Sequence, residues 1–311
     1  MSTNFFIHIG FSKTGTTSLQ KHLFSKHPHV KYHGKPFADE KLKTFLHRLI
    51  MEESISYNPG PLKNYLEETR ARELSPSQHA VVLSDEMFVS YSKARDKGIV
   101  AHRLHDIFAP CKIMITIRHQ FELLKAAYLS RGRFLSNVPS KFEGLAVSFE
   151  EWLDLSLENY ERGYINHADY YKTISYYAHV FGKENVRVFL LEDFIYNKKK
   201  YIDDLALFLG VDAGMAFDTV KDAHEHKEIT QADLDYELQI SRFFPFHRSK
   251  MVSKALKLYN SIANRAKKAS PAQVEIPGRL VGKFNQIFGE GNKKLGDEFA
   301  LPLNIYHYPG F

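Results

Sequence analysis

One cysteine stands in 311 residues, so no intramolecular disulfide can form and no thiolate pair exists to hold zinc. That residue, Cys111, opens an apolar run over 111–117 and is expected to be a buried strand residue in a reducing compartment. No apolar run approaches the roughly 18 residues of a membrane helix. The longest, such as 205–209 and 188–191, have the length of core segments. The N-terminus has neither a basic n-region nor a long h-region, so no signal peptide and a cytoplasmic location are expected. Acidic residues are missing between Leu238 and Val274, where eight basic residues stand. The whole chain carries only 42 − 36 = +6, so everything outside that stretch is slightly acidic. Such a distribution argues against a nucleic-acid binder, whose basic residues spread over the domain. It points to a local contact with an acidic acceptor or a membrane surface through 238–274. The sixteen histidines show no metal-ligand spacing, and no metal is expected.

Against these absences stands an ordinary globular composition, 44% hydrophobic and 25% charged. Short β-branched and aromatic runs at 5–9, 80–84, 112–117 and 185–191 read as strands. Helical spacing follows at 18–24, 39–53, 62–74, 121–130, 149–160, 168–181 and 201–209. Residues 131–147, with Gly132, Pro139 and Gly144, read as a surface loop and as part of an acceptor site. Strands alternating with helices predict an α/β fold, a parallel sheet flanked by helices. A mostly helical extension over about 221–311 completes one domain, 1–311.

The first strand runs into Gly10-Phe11-Ser12-Lys13-Thr14-Gly15-Thr16-Thr17, two glycines spaced as in a phosphate-binding loop. A loop of this kind turns successive backbone N–H groups toward an anion, and the next helix adds its positive end. A nucleotide kinase puts lysine directly after the second glycine. Here Thr16 holds that place, and the loop's lysine is Lys13, within the loop.

Residues 6–20, Phe-Ile-His-Ile-Gly-Phe-Ser-Lys-Thr-Gly-Thr-Thr-Ser-Leu-Gln, resemble the 5′-phosphosulfate loop of sulfotransferases that use 3′-phosphoadenosine 5′-phosphosulfate (PAPS). The likeness is to the soluble bacterial, carbohydrate-type members; it implies a P-loop-type fold and PAPS as sulfuryl donor. It gives Lys13 the contact with the leaving phosphate, and Thr14, Gly15, Thr16, Thr17 and Ser18 the grip on the 5′-phosphate. Ser12 stands where many members have proline. Arg118, at the end of the run 115–117, is similar to the family's 3′-phosphate arginine. The serine the family places eight residues later is here Ala126, and Ser130, one helical turn on (about 5.4 Å), is the candidate replacement, with Lys125 and Arg131 as alternatives. Segments 185–194, 203–211 and 291–295 extend the resemblance weakly toward the C-terminus.

Sulfuryl transfer needs alignment and charge stabilisation more than covalent help, and a lysine can take the place magnesium has in kinases. The acceptor hydroxyl needs a base. Glu86, just past the strand 80–84, opens onto the carboxyl edge of the sheet and is the candidate, with Asp85 second and His33 third. His8, within the first strand, reads as a packed histidine. The expectation is therefore transfer from PAPS to a hydroxyl or amine, of a glycan or glycolipid. The alternatives are a P-loop kinase using ATP and magnesium, with 80–86 as its apolar strand and acid, and a non-catalytic anion binder.

Overall fold

In the computed structural model, residues 4–70, 77–90, 96–135, 142–223, 229–241 and 270–311 are described. Most of the basic stretch 238–274 lies outside them, as does the middle of the loop 131–147. The chain divides into two compact units. The first comprises 1–119, 169–225 and 286–311, and the second 120–168 and 226–285.

The five strands among the described residues belong to the first unit: β1 (Asn4–His8), β2 (Val30–Gly34), β3 (Ala80–Ser84), β4 (Lys112–Ile117) and β5 (Val186–Leu190). They form one parallel sheet in the order β2-β3-β1-β4-β5, with Phe6 level with Val82 and Lys112. The fold is α/β, a P-loop-type parallel sheet flanked by helices, and the described C-terminal part is mostly helical, in Gln231–Ser241 and Gly278–Phe299. Strands covered on both faces need apolar residues at nearly every position, and β3 is buried throughout. Phe6, Val82, Met114 and Phe189 pack on one face with Leu19, Leu23, Ile202 and Leu205. The opposite face buries Ile7, Leu83, Ile113 and Ile115. Cys111 is buried just ahead of β4, and burial pushes its thiol up to about 12. Among the elements that escape the sequence reading are the edge strand β2, the short helices Tyr164–Ala168, Leu191–Tyr196 and Ala213–Val220, and the helix Lys97–Phe108, whose N-cap Asp96 accepts from Gly98 and Ile99 N–H at 2.8 and 3.2 Å.

The second unit is built on helices. Tyr128, Phe149, Trp152 and Tyr164 share an aromatic cluster with centroids 5.0–6.1 Å apart. Arg133 and Glu237 form a buried ion pair, Nε to Oε2 at 2.6 Å. Among the described residues no helix is long and apolar enough to cross a membrane.

Candidate active site

At the carboxyl end of β1 the chain leaves the sheet while still bound to it. Ile9 N–H donates to Met114 C=O at 2.9 Å and Phe11 N–H to Thr116 C=O at 3.3 Å. Lys13 and Gly15 then adopt left-handed backbone angles, φ 66° and 81°. Alternation of right- and left-handed residues curls successive N–H groups toward one side, the concavity that anions occupy. Helix begins at Thr16–Ser18 and continues as a π-helix over Leu19–Phe24. Its first bonds run from Ser18 and Leu19 N–H to Gly15 C=O at 3.1 and 3.3 Å, so the N–H groups of Thr16 and Thr17 have no partner within the helix.

The loop rests on a polar floor. His8 Nδ1 meets Ser84 Oγ at 2.8 Å, its Nε2 meets Thr116 Oγ1 at 3.3 Å, and burial lowers its pKa to about 4. Gln20 Nε2 donates to Ser84 Oγ at 2.9 Å. Thr14, 1% exposed, turns its hydroxyl inward: it donates to Phe11 C=O at 2.5 Å and lies 2.7 Å from Thr116 Oγ1. Of the donors that the resemblance gives Thr14, only its backbone N–H is left for a ligand. A Cβ on Gly10 would collide with Thr116 Oγ1, Thr16 Cγ2 and His8 Nε2, which is why this position has none.

Glu86 joins the loop to the strand beyond. It follows β3, in the short 3-10 turn Glu86–Phe88 that Asp85 caps by accepting from Met87 N–H at 2.9 Å. Glu86 Oε1 accepts from Thr16 Oγ1 at 2.7 Å, and Lys35 Nζ sits 3.0 Å from its Oε2 and 2.6 Å from Asp85 Oδ1. Burial raises the Glu86 pKa, but Lys35 and the Thr16 hydroxyl outweigh it and hold the carboxyl below the usual glutamate range. Asp85 lies deeper, and there burial wins and raises the pKa. Of the two, Glu86 is the carboxylate whose surroundings favour the ionised form. Lys13 is exposed, yet partial desolvation lowers its pKa; the charge of Glu86 opposes this and that of Arg118 adds to it. Lys13 thus lies within electrostatic reach of both Glu86 and Arg118.

Arg118 directly follows β4, and its carbonyl accepts from Tyr170 OH at 2.7 Å. The next N–H, of His119, donates to Glu192 Oε1 at 2.8 Å, while Tyr308 OH donates to Glu192 Oε2 at 2.9 Å. This buried glutamate fixes the turn that carries Arg118. Thr17 is exposed and Ser18 buried at the helix start. Ser130 belongs to the second unit, in the π-helical turn Tyr128–Gly132, where its carbonyl accepts from Arg133 Nη1 at 3.0 Å. A π-turn takes more residues than an α-turn, so Ser130 does not stand squarely one turn beyond Ala126, as α-helical spacing would have it.

Lys35 and Glu192 were missed by sequence reasoning. Lys35 closes the segment Tyr32-His33-Gly34-Lys35, and the signal needed was that β2 is a strand, which puts its end beside that of β3. Glu192 carries no local signal, because its partners are 73 and 116 residues away.

No protein-family model matches the sequence, and no curated protein matches it significantly. Among solved structures, a sulfotransferase from Alicyclobacillus acidocaldarius aligns over 98% of this chain and 99% of that one, with TM-score 0.56 and 18% identity. The sulfotransferase domain of the Synechococcus PCC 7002 olefin synthase aligns over 96% of each chain, at TM-score 0.42 and 14% identity. A mouse sulfotransferase complexed with PAP aligns over 82% of this chain and 89% of that one, at TM-score 0.40 and 14% identity. The last two scores are too low to bear on detail. The first spans both chains end to end, and with the strand–loop–helix at β1 already in place, this chain has the sulfotransferase fold.

Proposed function

We propose that the protein transfers a sulfuryl group from PAPS to a hydroxyl or amine of a glycan or glycolipid. The observation that carries this reading is the position of Lys13: an exposed ammonium inside the loop, within reach of the charges of Glu86 and Arg118, while Thr16 stands after the second glycine. The residues fit such a donor. Inward-curled N–H groups at Gly15, Thr16 and Thr17 suit a 5′-phosphate, the Thr17 hydroxyl adds a donor, and Arg118 suits the 3′-phosphate. Thr14 contributes through its N–H and Ser18 through the helix start.

PAPS supplies the sulfuryl group and departs as the nucleotide phosphate. Lys13 neutralises charge developing on the leaving phosphate oxygen, where a pre-placed cation acts without reorganisation. Glu86, already ionised, accepts the acceptor's proton. Its lowered pKa makes it a modest base, suited to a proton released late, when the bond to sulfur has made the hydroxyl acidic. A magnesium-dependent kinase would need Asp85 or Glu86 for its metal, but Lys35 joins both carboxylates.

Calorimetric titration with 3′-phosphoadenosine 5′-phosphate, beside ATP with magnesium, tests the reading. Metal-independent binding of the former is expected. Binding of ATP with magnesium in its place would contradict it.

A further inference from the structure

β1 runs between β3 and β4, and its last residue, His8, touches a hydroxyl on each of them. Nδ1 meets Ser84 Oγ at 2.8 Å, level with it in the register, and Nε2 meets Thr116 Oγ1 at 3.3 Å. The contacts continue at both ends. Thr116 Oγ1 lies 2.7 Å from Thr14 Oγ1, whose proton goes to Phe11 C=O at 2.5 Å. Ser84 Oγ accepts from Gln20 Nε2 at 2.9 Å, and the same amide donates to Glu86 Oε1 at 3.4 Å. One line of hydrogen bonds thus runs Thr14–Thr116–His8–Ser84–Gln20–Glu86, from the phosphate-binding loop to the carboxylate past β3. All six residues belong to the first unit, and the first five are buried.

The ends of this line fix its direction. A carboxylate only accepts, so the Gln20 atom facing Glu86 is the amide nitrogen, and the Ser84 oxygen beside it is an acceptor. A carbonyl likewise only accepts, so the Thr14 proton is spent on Phe11. The contact between Thr14 and Thr116 is then a hydrogen bond only if Thr116 donates. With the Thr116 proton spent too, His8 Nε2 has to be the N–H that donates to Thr116 Oγ1. Nδ1 remains as the acceptor of a neutral ring, and the Ser84 hydroxyl donates to it. The Tyr32 hydroxyl is a second outlet for the Ser84 proton, since it interacts with Ser84 and gives its own proton to Lys35 C=O at 2.8 Å. That outlet would put N–H on both ring nitrogens of His8, a buried cation. Burial opposes the cation and lowers the His8 pKa to about 4; the charge of Glu86 offsets this only in part, and the Phe24 ring packed 5.5 Å away offers no charge.

We infer that His8 is a positioning residue: held as the neutral Nε2–H tautomer, it couples the inward turn of Thr14 to the orientation of Glu86, so that loop and base are set as one piece. The inference rests on the sulfuryl-transfer reading for what Glu86 does; the tautomer and the coupling do not. Without His8, the buried Ser84 and Thr116 hydroxyls each lose a partner and turn to others, and Gln20 loses its anchor beside Glu86. The test is NMR of the intact protein, with 15N in its histidine rings and 13C in its glutamate carboxyls, on the wild type, His8→Gln and His8→Leu. Signals lost in His8→Gln and in Glu86→Gln identify the two residues. Turnover with PAPS and a mixed pool of glycans is measured beside the spectra. Glutamine offers an oxygen toward Ser84 and an NH2 toward Thr116, whereas leucine fills the space with neither. Expected at pH 7 are a bare Nδ1 and a protonated Nε2 on His8, and a Glu86 carboxyl signal displaced in His8→Leu and restored in His8→Gln. Turnover should fall about 10²-fold in His8→Leu, as misplacement of a reacting group by about 1 Å costs, and largely recover in His8→Gln. A role in packing alone gives the reverse order, because leucine suits an apolar strand interior better than an amide does. A proton on Nδ1, a Glu86 signal that neither variant moves, or more turnover with leucine than with glutamine would overturn the inference. Should His8→Leu not fold, the wild-type ring spectrum decides by itself. A protein inert toward PAPS that still shows the bare Nδ1 and the displaced Glu86 signal would sink sulfuryl transfer and leave the coupling standing.

Discussion

The two ends of the sheet both gather histidines, and they put them to different uses. At the amino end, His27, His29 and His79 pack edge-on and tilted against one another, with ring centroids 5.2 and 4.9 Å apart. His27 Nε2 meets Asp212 C=O at 3.1 Å and His79 Nε2 meets Gly210 C=O at 2.9 Å. Those contacts tie the segment after the helix Lys198–Leu209 to the starts of β2 and β3, and the polar atoms serve the main chain. At the carboxyl end, His8, Ser84, Thr116 and Gln20 also bond one another, but they support a loop whose cation stays exposed and whose N–H groups precede the first helical bond. A polar cluster alone does not mark a site. What marks it is the set of donors left over once the fold has used what it needs.

Four substitutions would break or sharpen that contrast. The largest effect is expected from Lys13→Ala, which removes the exposed cation: transfer should fall about 10³-fold, with the melting temperature nearly unchanged, as thermal unfolding beside a turnover assay would show. Glu86→Gln should lower turnover about 10²-fold while nucleotide affinity holds, and a parallel loss of affinity would move the base elsewhere. Gly10→Ala tests the supporting floor: its Cβ has no room, and overpacking of this kind costs about 1–3 kcal/mol in denaturant unfolding. At the amino end, His79→Gln should cost only about 1 kcal/mol and leave transfer untouched. An activity loss there would erase the distinction between the two ends.

The pH dependence follows from Lys35. Glu86 must be ionised to accept a proton, and its pKa lies below the ordinary glutamate value. The rate should therefore fall only as pH drops through that lowered value. Lys35→Met removes the cation that depresses it, so the Glu86 pKa rises and the acid limb of the rate profile moves to higher pH. An unmoved limb would assign the proton transfer to another group.

Much of this was legible in the sequence. The strands β1, β3, β4 and β5 are short apolar runs bounded by turns, because a strand covered on both faces leaves little choice of residue. The same rule hid β2. An edge strand keeps one side open and tolerates Val-Lys-Tyr-His-Gly, a pattern that reads as a loop, and with it the link from Lys35 to Glu86 was lost. The loop 10–17 was readable in outline from its glycines. The inward turn of the Thr14 hydroxyl was not, since it depends on Thr116, a hundred residues away and brought close only by the pairing of β1 with β4. Helix Lys97–Phe108 carried its signal in Asp96, ahead of apolar positions at 99, 100, 104 and 108, but Gly98 and two histidines diluted the pattern.

The central claim is that the exposed ammonium inside the loop, together with the carboxylate past β3, moves a sulfuryl group. Incubation with radiosulfur-labelled PAPS and a mixed pool of glycans, in metal-free buffer, tests it most directly. The account predicts label in the glycan fraction with the wild-type chain and almost none with Lys13→Ala. Equal labelling by both proteins, or labelling from ATP only when magnesium is added, would contradict it.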